Sequence, residues 1–569
     1  MLSLLALSVQ LQVGSAVLLP TEPPPAPVRV AVTAEDSLRD VERAHDAQAG
    51  FERGRRYVLP WGAGSGGHCD VHVGRFCWWY EEGATIPSEP EEVTRRRAEL
   101  LAELDDLGAR LPQDPWIAGM RVYYRVDNRQ AALAADAAAQ CATAGWWCTA
   151  LRAWAAQAAG DAAAADSGFS AALAAMPDST RCAWTNIAPL LPGGVRDRYE
   201  KLGCAERAGL DSRYWTLSIP RLSAGVNEWH AEYLARRVAA TLLASAVSPH
   251  RLPWGDDSAE LLLRYGWPIA WSRIPPTGMS VLEPDIMGHD PAPSFAFGVR
   301  EAVLDSTASA GDDGWDLADL HAESRYARPG IRRIAAMSAQ LARFRRADST
   351  IVVARWSTID DSLSHPRAAM GAATRMGVLA RAAADSSSSG TVQLRVAGIP
   401  VMAGVELSDS ASGTFARSRR AWAAADDPRA GRISDLLLFR PTDDRSLTLD
   451  EALALAIPGD TASLSRPLGL YWESYGAEQP DSAQETSVLV ERIDTGFLRS
   501  FRQRVGLAEP DSPLRVRWSE PQPPRDGLAP RTLTLDLAQL PAGRYRISVS
   551  VTPPGGTPAV TSAEVQLRE

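Results

Sequence analysis

Apolar positions along this chain change their period near residue 346. Before it they recur at helical spacing. Leu100, Leu101, Leu104 and Leu107 put one apolar face on a helix over 91–111. The stretch 37–56 reads as another helix, with Ser37 placed to cap it, and 28–32 reads as a short strand. Residues 116–210 are alanine-rich and helical, and Asn227-Glu228 opens a helix that runs through Arg237 to Leu243. Leu261–Tyr265 is a compact apolar run that reads as a buried strand stopping at Gly266. Beyond 346 the period is two. Ile351-Val352-Val353, Val392-Leu394-Val396 and Leu436-Leu437-Leu438 are strand candidates between Gly, Ser and Asp clusters. Leu470-Tyr471-Trp472, Val488-Leu489-Val490 and Val516-Trp518 form a second set. Leu533-Leu535-Leu537 and Tyr545-Ile547-Val549-Val551 alternate cleanly, joined by the turn Leu540-Pro541-Ala542-Gly543. Such alternation fits half-buried strands of antiparallel sandwiches. Ser386 to Gly390 reads as a flexible loop, and Thr442 to Ser465 as a linker with one short helix.

Length and charge narrow the classes. A chain of 569 residues exceeds a single core, so several domains are expected. The net charge of −10 disfavours nucleic acid, which needs a concentrated basic surface. Lys201 is the sole lysine, and its setting fits no Schiff-base site and no P-loop, so neither pyridoxal chemistry nor nucleotide binding is expected.

Residues 2–19 are mostly apolar and end at Pro20, with small residues at Gly14-Ser15-Ala16. The run reads as a signal peptide over 1–20, although no basic residue precedes it. A retained membrane anchor and a buried core segment are the alternatives; Ser3, Ser8, Gln10, Gln12 and Ser15 weaken a membrane span. Thr21 to Pro27 is a stiff Pro-rich linker. The six cysteines fall into sequence-local pairs: Cys69 with Cys77, Cys141 with Cys148, and Cys182 with Cys204. Closing loops this short stabilises by roughly 2–3 kcal/mol each when unstrained. Buried free thiols are the alternative. Export and disulfides together point to a periplasmic or secreted protein.

Two stretches resemble known families. Gly160, Ala165, Phe169, Ala172 and Pro177 sit where a tetratricopeptide (TPR) repeat carries its small, aromatic and helix-ending residues, with Trp146, Trp147 and Leu151 ahead of them. Further on, Trp254 and Asp257 are followed by Tyr265-Gly266 and Pro268. Upstream stand Trp215, Asn227, Glu228, Glu232, Arg236 and Arg237. Together these resemble the bacterial GWxTD domain, named for its Gly-Trp-x-Thr-Asp motif and a following strand that ends in Tyr-Gly-x-Pro. Pro253 stands in place of the motif glycine, Asp256 in place of its threonine, and Ser258-Ala259 in place of the usual Arg-Gly. The resemblance implies a fold and no mechanism.

The expected fold is therefore a multidomain α + β chain. A signal peptide over 1–20 precedes a disulfide-containing leading module over 28–115. A TPR-like helical region over 116–210 leads to a GWxTD-like α/β segment over 211–345. Antiparallel β-sandwich modules follow over 346–440 and 465–569.

Candidate chemistry is sparse. Gly62 to Gly67 matches G-x-G-x-x-G formally, but Pro60 interrupts the strand such a site needs, so it reads as a turn. His68, Cys69, Asp70, His72 and Cys77 have the atom types of a zinc site, at a spacing that fits no standard one; a Cys69–Cys77 disulfide is the expectation. His230 with Asp256 or Asp257 has the elements of a hydrolytic site but no accompanying nucleophile, so His230 reads as a surface residue and the acids as loop caps. The 18 tryptophans, including Trp78-Trp79, Trp146-Trp147 and the Trp254, Trp267, Trp271 group, read as core packing, with a partner or glycan surface as the alternative. The expected function is a non-catalytic scaffold or protein-binding module of the cell envelope. It takes a protein partner and no cofactor, and it meets a membrane only through its N-terminal segment. A hydrolase near His230, Asp256 and Asp257 is the alternative.

Overall fold

Helices come first and sheets second. The structure, a computed structural model, describes residues 34–62, 69–79, 85–275, 284–290, 326, 328, 330–360, 363–374, 379–384, 387–422, 432–443, 445–476, 483–493, 513–524 and 527–569. The expected signal peptide over 1–20, the expected Pro-rich linker, the strand expected at 28–32, and Ser386 lie outside the described residues.

Helix α1 (Ala34–Val58) starts with Glu35 and Asp36 in its first turn, where acids favour the helix dipole; Ser37 lies inside that turn, not at the cap. Helix α2 (Glu91–Arg110) buries Leu100, Leu101, Leu104 and Leu107, the face its period predicts. Asp114 caps α3 (Pro115–Asp127), its carboxylate accepting the Ile117 N–H at 2.8 Å. Next come α4 (Ala131–Ala139), α5 (Trp147–Ala158) and α6 (Ala162–Ala175). The α5–α6 hairpin buries Ala165, Phe169 and Ala172, and Gly168 lies so near Ala153 that a Cβ there would stand 2.9 Å from it. Helices α7 (Asp178–Trp184), α8 (Gly193–Tyr199), α9 (Cys204–Leu217), α10 (Glu228–Leu243) and α11 (Asp256–Tyr265) complete the region. Two hairpins join it: β1 (Val71–Val73) with β2 (Phe76–Trp78), and β3 (Ala270–Ile274) with β4 (Asp285–His289).

The three local disulfides are all formed, with Cα–Cα distances of 5.6, 5.6 and 5.8 Å. The run Leu261–Tyr265, expected as a strand, is the second half of α11. Asp256 and Asp257 occupy its first turn and Arg264 its last, while Leu262, Leu263 and Tyr265 turn to the core.

Strands begin before 346. β5 (Arg333–Ile334), β6 (Ser338–Arg346), β7 (Ser349–Ser357), β8 (Arg367–Thr374), β9 (Leu379–Ala383), β10 (Ser389–Ala397), β11 (Pro400–Asp409) and β12 (Thr414–Ala421) form two sheets, ordered β10-β7-β6 and β5-β12-β11-β8-β9. They share one core, with Val352, Trp356 and Leu394 from the first and Met370, Val405 and Leu407 from the second. Ser389 and Gly390 are paired strand residues and not loop; a side chain at Gly390 would strike the Trp356 ring.

A second pair of sheets follows: β13 (Leu437–Phe439), β14 (Thr461–Ser463), β15 (Leu468–Tyr475), β16 (Ala483–Arg492), β17 (Leu514–Pro521), β18 (Leu528–Leu535), β19 (Gly543–Thr552) and β20 (Ala559–Arg568). Their orders are β13-β15-β18 and β14-β20-β19-β16-β17. Leu437 and Leu438, expected in the earlier module, pair with β15. The expected linker at 442–465 is packed. Its helix α12 (Leu449–Leu455) buries Leu449, Ala452 and Leu453 among Ala342, Phe344 and Val353 of one sheet and Leu437, Phe439 and Tyr471 of another.

Buried polar groups seal the joints. Gln340 donates to the Leu438 and Ile457 carbonyls and accepts the Leu438 N–H, at 2.9, 2.9 and 2.6 Å. Arg343 pairs with Asp435 at 3.0 Å. Between helices and sheets, Leu217, Ile219 and Leu222 pack on Ala373 and Met402. Glu406 accepts the Leu222 and Ser223 N–H groups at 2.7 and 3.1 Å and pairs with Arg419 at 3.3 Å. Gly371 is required there, since a Cβ would meet that of Leu222 at 2.3 Å.

Replacing Glu406 strands those buried donors. Glu406→Ala should cost about 3–5 kcal/mol. Thermal unfolding should show the loss, and limited proteolysis should open a new cut near 217–227. An unchanged melt with no new fragment would mean that this joint carries no load.

Candidate functional site

The family-like residues meet in one place, and each is engaged in packing. Asn227 caps α10, its Oδ1 accepting the Trp229 and His230 N–H groups at 3.1 Å each while its Nδ2 donates to the Trp215 carbonyl at 2.6 Å. Trp215 in turn stands against Trp229, His230 and Tyr233. Glu228 is buried and pairs with Arg221 and Arg328. Glu232 holds Arg236 at 2.9 Å. Arg236 lies over the Trp229 ring and donates to the Leu263 and Arg264 carbonyls, at 3.1 Å each. Those are acceptors that the end of α11 leaves open. Gly266, at φ +87°, ends the helix, and a Cβ there would stand 2.9 Å from the Arg236 guanidinium. Arg237 bonds the Tyr233 hydroxyl and the Asn186 carbonyl. Pro268 packs on Gly288 of β4.

The disulfide hairpin β1–β2 clasps both ends of α11. At one end Tyr265 stacks on Trp78, ring centroids 4.6 Å apart. At the other, Asp257 accepts two bonds from the Arg75 guanidinium, at 2.6 and 2.7 Å, and one from the Arg75 N–H at 3.0 Å. It also accepts the Ser258 N–H at 2.9 Å, so the expected carboxylate-to-backbone bonds are made at a helix start instead of a strand start. The Arg75 hydrogen bonds hold the Asp257 carboxyl well below the ordinary aspartate range. Gly74, at φ +55°, allows the approach, because a Cβ there would lie 2.4 Å from that of Asp257. Trp254 is half-buried against the helical core that contains Ala235 and Val238.

His230 is not a surface residue. It is half-buried against Trp215, and burial lowers its pKa to about 4. Asp257 is committed to Arg75, and Asp256 is exposed. Among the described residues, no hydrogen bond or ion pair joins His230 to either acid. Cys69 and Cys77 are joined to each other, and His68 lies outside the described residues. Among the described residues, no group of three His, Cys, Asp or Glu side chains is placed to hold a metal.

Several features had no readable signal in the sequence. Arg75 is an ordinary turn residue until the fold brings it to Asp257. Ser272 and His289, distant in sequence, form a buried 2.7 Å hydrogen bond across the β3–β4 hairpin. His250 stands between the Phe76 and Trp271 rings, and burial lowers its pKa to about 4. A cavity of about 460 Å³ opens between α3, α5, α10 and α11, bordered by Tyr123, Trp154, Glu232, Arg236, Tyr265 and Trp267. At its wall Trp267 donates to Asp127 at 2.9 Å, and Arg97 pairs with the same carboxylate at 3.1 Å.

No family model matches the chain, and no curated protein matches it. Solved structures align only loosely. A red sea bream transglutaminase is 9% identical over 56% of this chain and 43% of its own, with a TM-score of 0.14. The receptor tyrosine kinase Torso is 7% identical over 40% and 72%, with a TM-score of 0.10. A Salmonella alpha-2-macroglobulin is 12% identical over 42% and 16%, with a TM-score of 0.13. The chain thus spans less than half of the transglutaminase, and TM-scores this low assign no common fold.

Two outcomes follow from the clasp. Arg75 is partly exposed, so Asp257→Asn should cost only about 1–2 kcal/mol at neutral pH. Trp254→Ala should cost more, about 3 kcal/mol. Asp257 has a lowered folded pKa, so its contribution is present above the ordinary aspartate range and fades as pH falls below it. Melting curves of both variants at neutral and acid pH test the ranking and the fading.

The histidines act in a higher window. Between the ordinary value of 6.5 and about 4, the unfolded chain binds protons that folded His230 and His250 refuse. Stability should therefore fall as pH drops through that interval. His250→Phe, which keeps a ring between Phe76 and Trp271, should flatten this part of the melting profile; an unaltered slope would exclude His250 as a contributor.

Proposed function

We propose that this chain is an exported bacterial cell-envelope protein that works as a non-catalytic scaffold or protein-binding module. The observation that carries the reading is the commitment of the motif side chains. Asn227, Glu228, Glu232, Arg236, Tyr265 and Asp257 each make structural contacts. On this reading the motif is a GWxTD-like lock, the α3–α6 hairpins are a TPR-like unit, and each pair of facing sheets is a β-sandwich. Three closed disulfides support an oxidising compartment. Among the described residues no helix is long and apolar enough to cross a membrane, so the N-terminal segment is the proposed route of any membrane association. The partner is a protein of the envelope, and neither nucleic acid nor nucleotide has a part in the reading.

One observation favours a hydrolase, at a place other than the His230, Asp256 and Asp257 site expected for it: the Ser272–His289 hydrogen bond has the spacing of a nucleophile and its base. Ser272 is fully buried, which favours a structural bond instead. The two readings part in one experiment. The purified full chain should turn over none of a panel of peptide, glycan and ester substrates. Cross-linking in the native envelope should join it to one recurring protein. Turnover that vanishes in Ser272→Ala would replace the scaffold with the hydrolase.

A further inference from the structure

The cavity between α3, α5, α10 and α11 stands apart from that reading. Its volume of about 460 Å³ lies within the usual small-ligand range of about 300–1,000 Å³. Tyr123, Trp154, Tyr265 and Trp267 supply aromatic wall. The Tyr123 hydroxyl is buried, without a hydrogen-bond partner among the described residues.

Arg129, also on the lining, carries the second observation. It follows α3 in the left-handed conformation, at φ +57°. The end of α5 solves the same problem with Gly160, at φ +79°. The hydrogen bonds correspond. Arg129 N–H reaches Val126 and Gln130 N–H reaches Arg125; Gly160 N–H reaches Gln157 and Asp161 N–H reaches Ala156. Glycine adopts this geometry freely, whereas an arginine is strained in it. The Arg129 side chain is exposed on the lining, with no acid paired to it among the described residues.

The acids of the lining among the described residues are already engaged. Asp127 holds Arg97 and the Trp267 indole, Glu232 holds Arg236 and Gln157, and Asp290 also has a partner. Among the described residues of the lining, the uncommitted charge is that of Arg129. We propose that the cavity binds an apolar carboxylate: an aromatic or alkyl body between the rings, and a carboxylate on the Arg129 guanidinium. A free acid and the C-terminal residue of a polypeptide share that chemistry.

Calorimetric titration of the full chain with N-acetyltryptophan, its amide and tryptamine separates anion, neutral and cation. The acid should bind at least about tenfold more tightly than the amide, as loss of a charge-assisted bond implies. Arg129→Gly should erase that advantage while raising the melting temperature, because the strain is relieved. Equal binding of acid and amide, preference for tryptamine, no binding of any probe at millimolar concentration, or an advantage that survives in Arg129→Gly would overturn the assignment. The peptide Gly-Gly-Gly-Trp then identifies the source. Binding equal to or tighter than the acid assigns a chain end, and exclusion assigns a free acid.

Discussion

Two carbonyl groups at the end of α11 depend on Arg236. Helix ends leave acceptors without partners, and here one guanidinium from α10 serves both. Glu232 holds it from the side and Trp229 lies beneath it. Gly266 leaves the space it needs. With α11 docked in this way, Tyr265 meets Trp78 and Asp257 meets Arg75, so the disulfide hairpin closes over the helix from both ends. The motif is thus a sequence of dependent constraints, each of which presents the next.

Deeper in the helical region, charge is buried in the same spirit. Glu52 and Arg55 pair at 2.7 Å with almost no exposure, and the Tyr124 hydroxyl donates to Glu52 at 2.9 Å. Burial raises the Glu52 carboxyl pKa despite that company. Arg97 and Asp127 repeat the arrangement between α2 and α3. Buried pairs of this kind contribute little net stability over apolar packing, but a partner lost is costly. They penalise wrong arrangements more than they reward the right one. Glu406–Arg419 and Arg343–Asp435 place the same device at the two joints that connect helices to sheets and sheets to sheets.

Lock and cavity share side chains. Glu232, Arg236, Tyr265 and Gly266 belong to both. The residues that dock α11 therefore also build one wall of the space beside it. The apolar body of a ligand in that space would rest on groups held firmly by other contacts, which lowers the entropic cost of ordering that wall.

Much was legible before the fold. The apolar face of α2, the local cysteine pairs and the alternation in β19 all follow from regularities within a few residues, and such regularities survive in any tertiary context. Leu261–Tyr265 reads as a strand but forms a helix, because a short apolar run suits a buried strand and a helix equally. Its choice was made by Arg236 and Tyr265 contacts that lie far away in sequence. The same holds for 442–465, whose helix gains a place only when two sheets approach to cover it. Residue order determined the long periodic helices, the alternating strands and which cysteines lie near enough to close. Tertiary structure decided the partners of Arg75, Gln340 and Glu406, because a polar side chain carries no mark of its partner until folding takes both out of water.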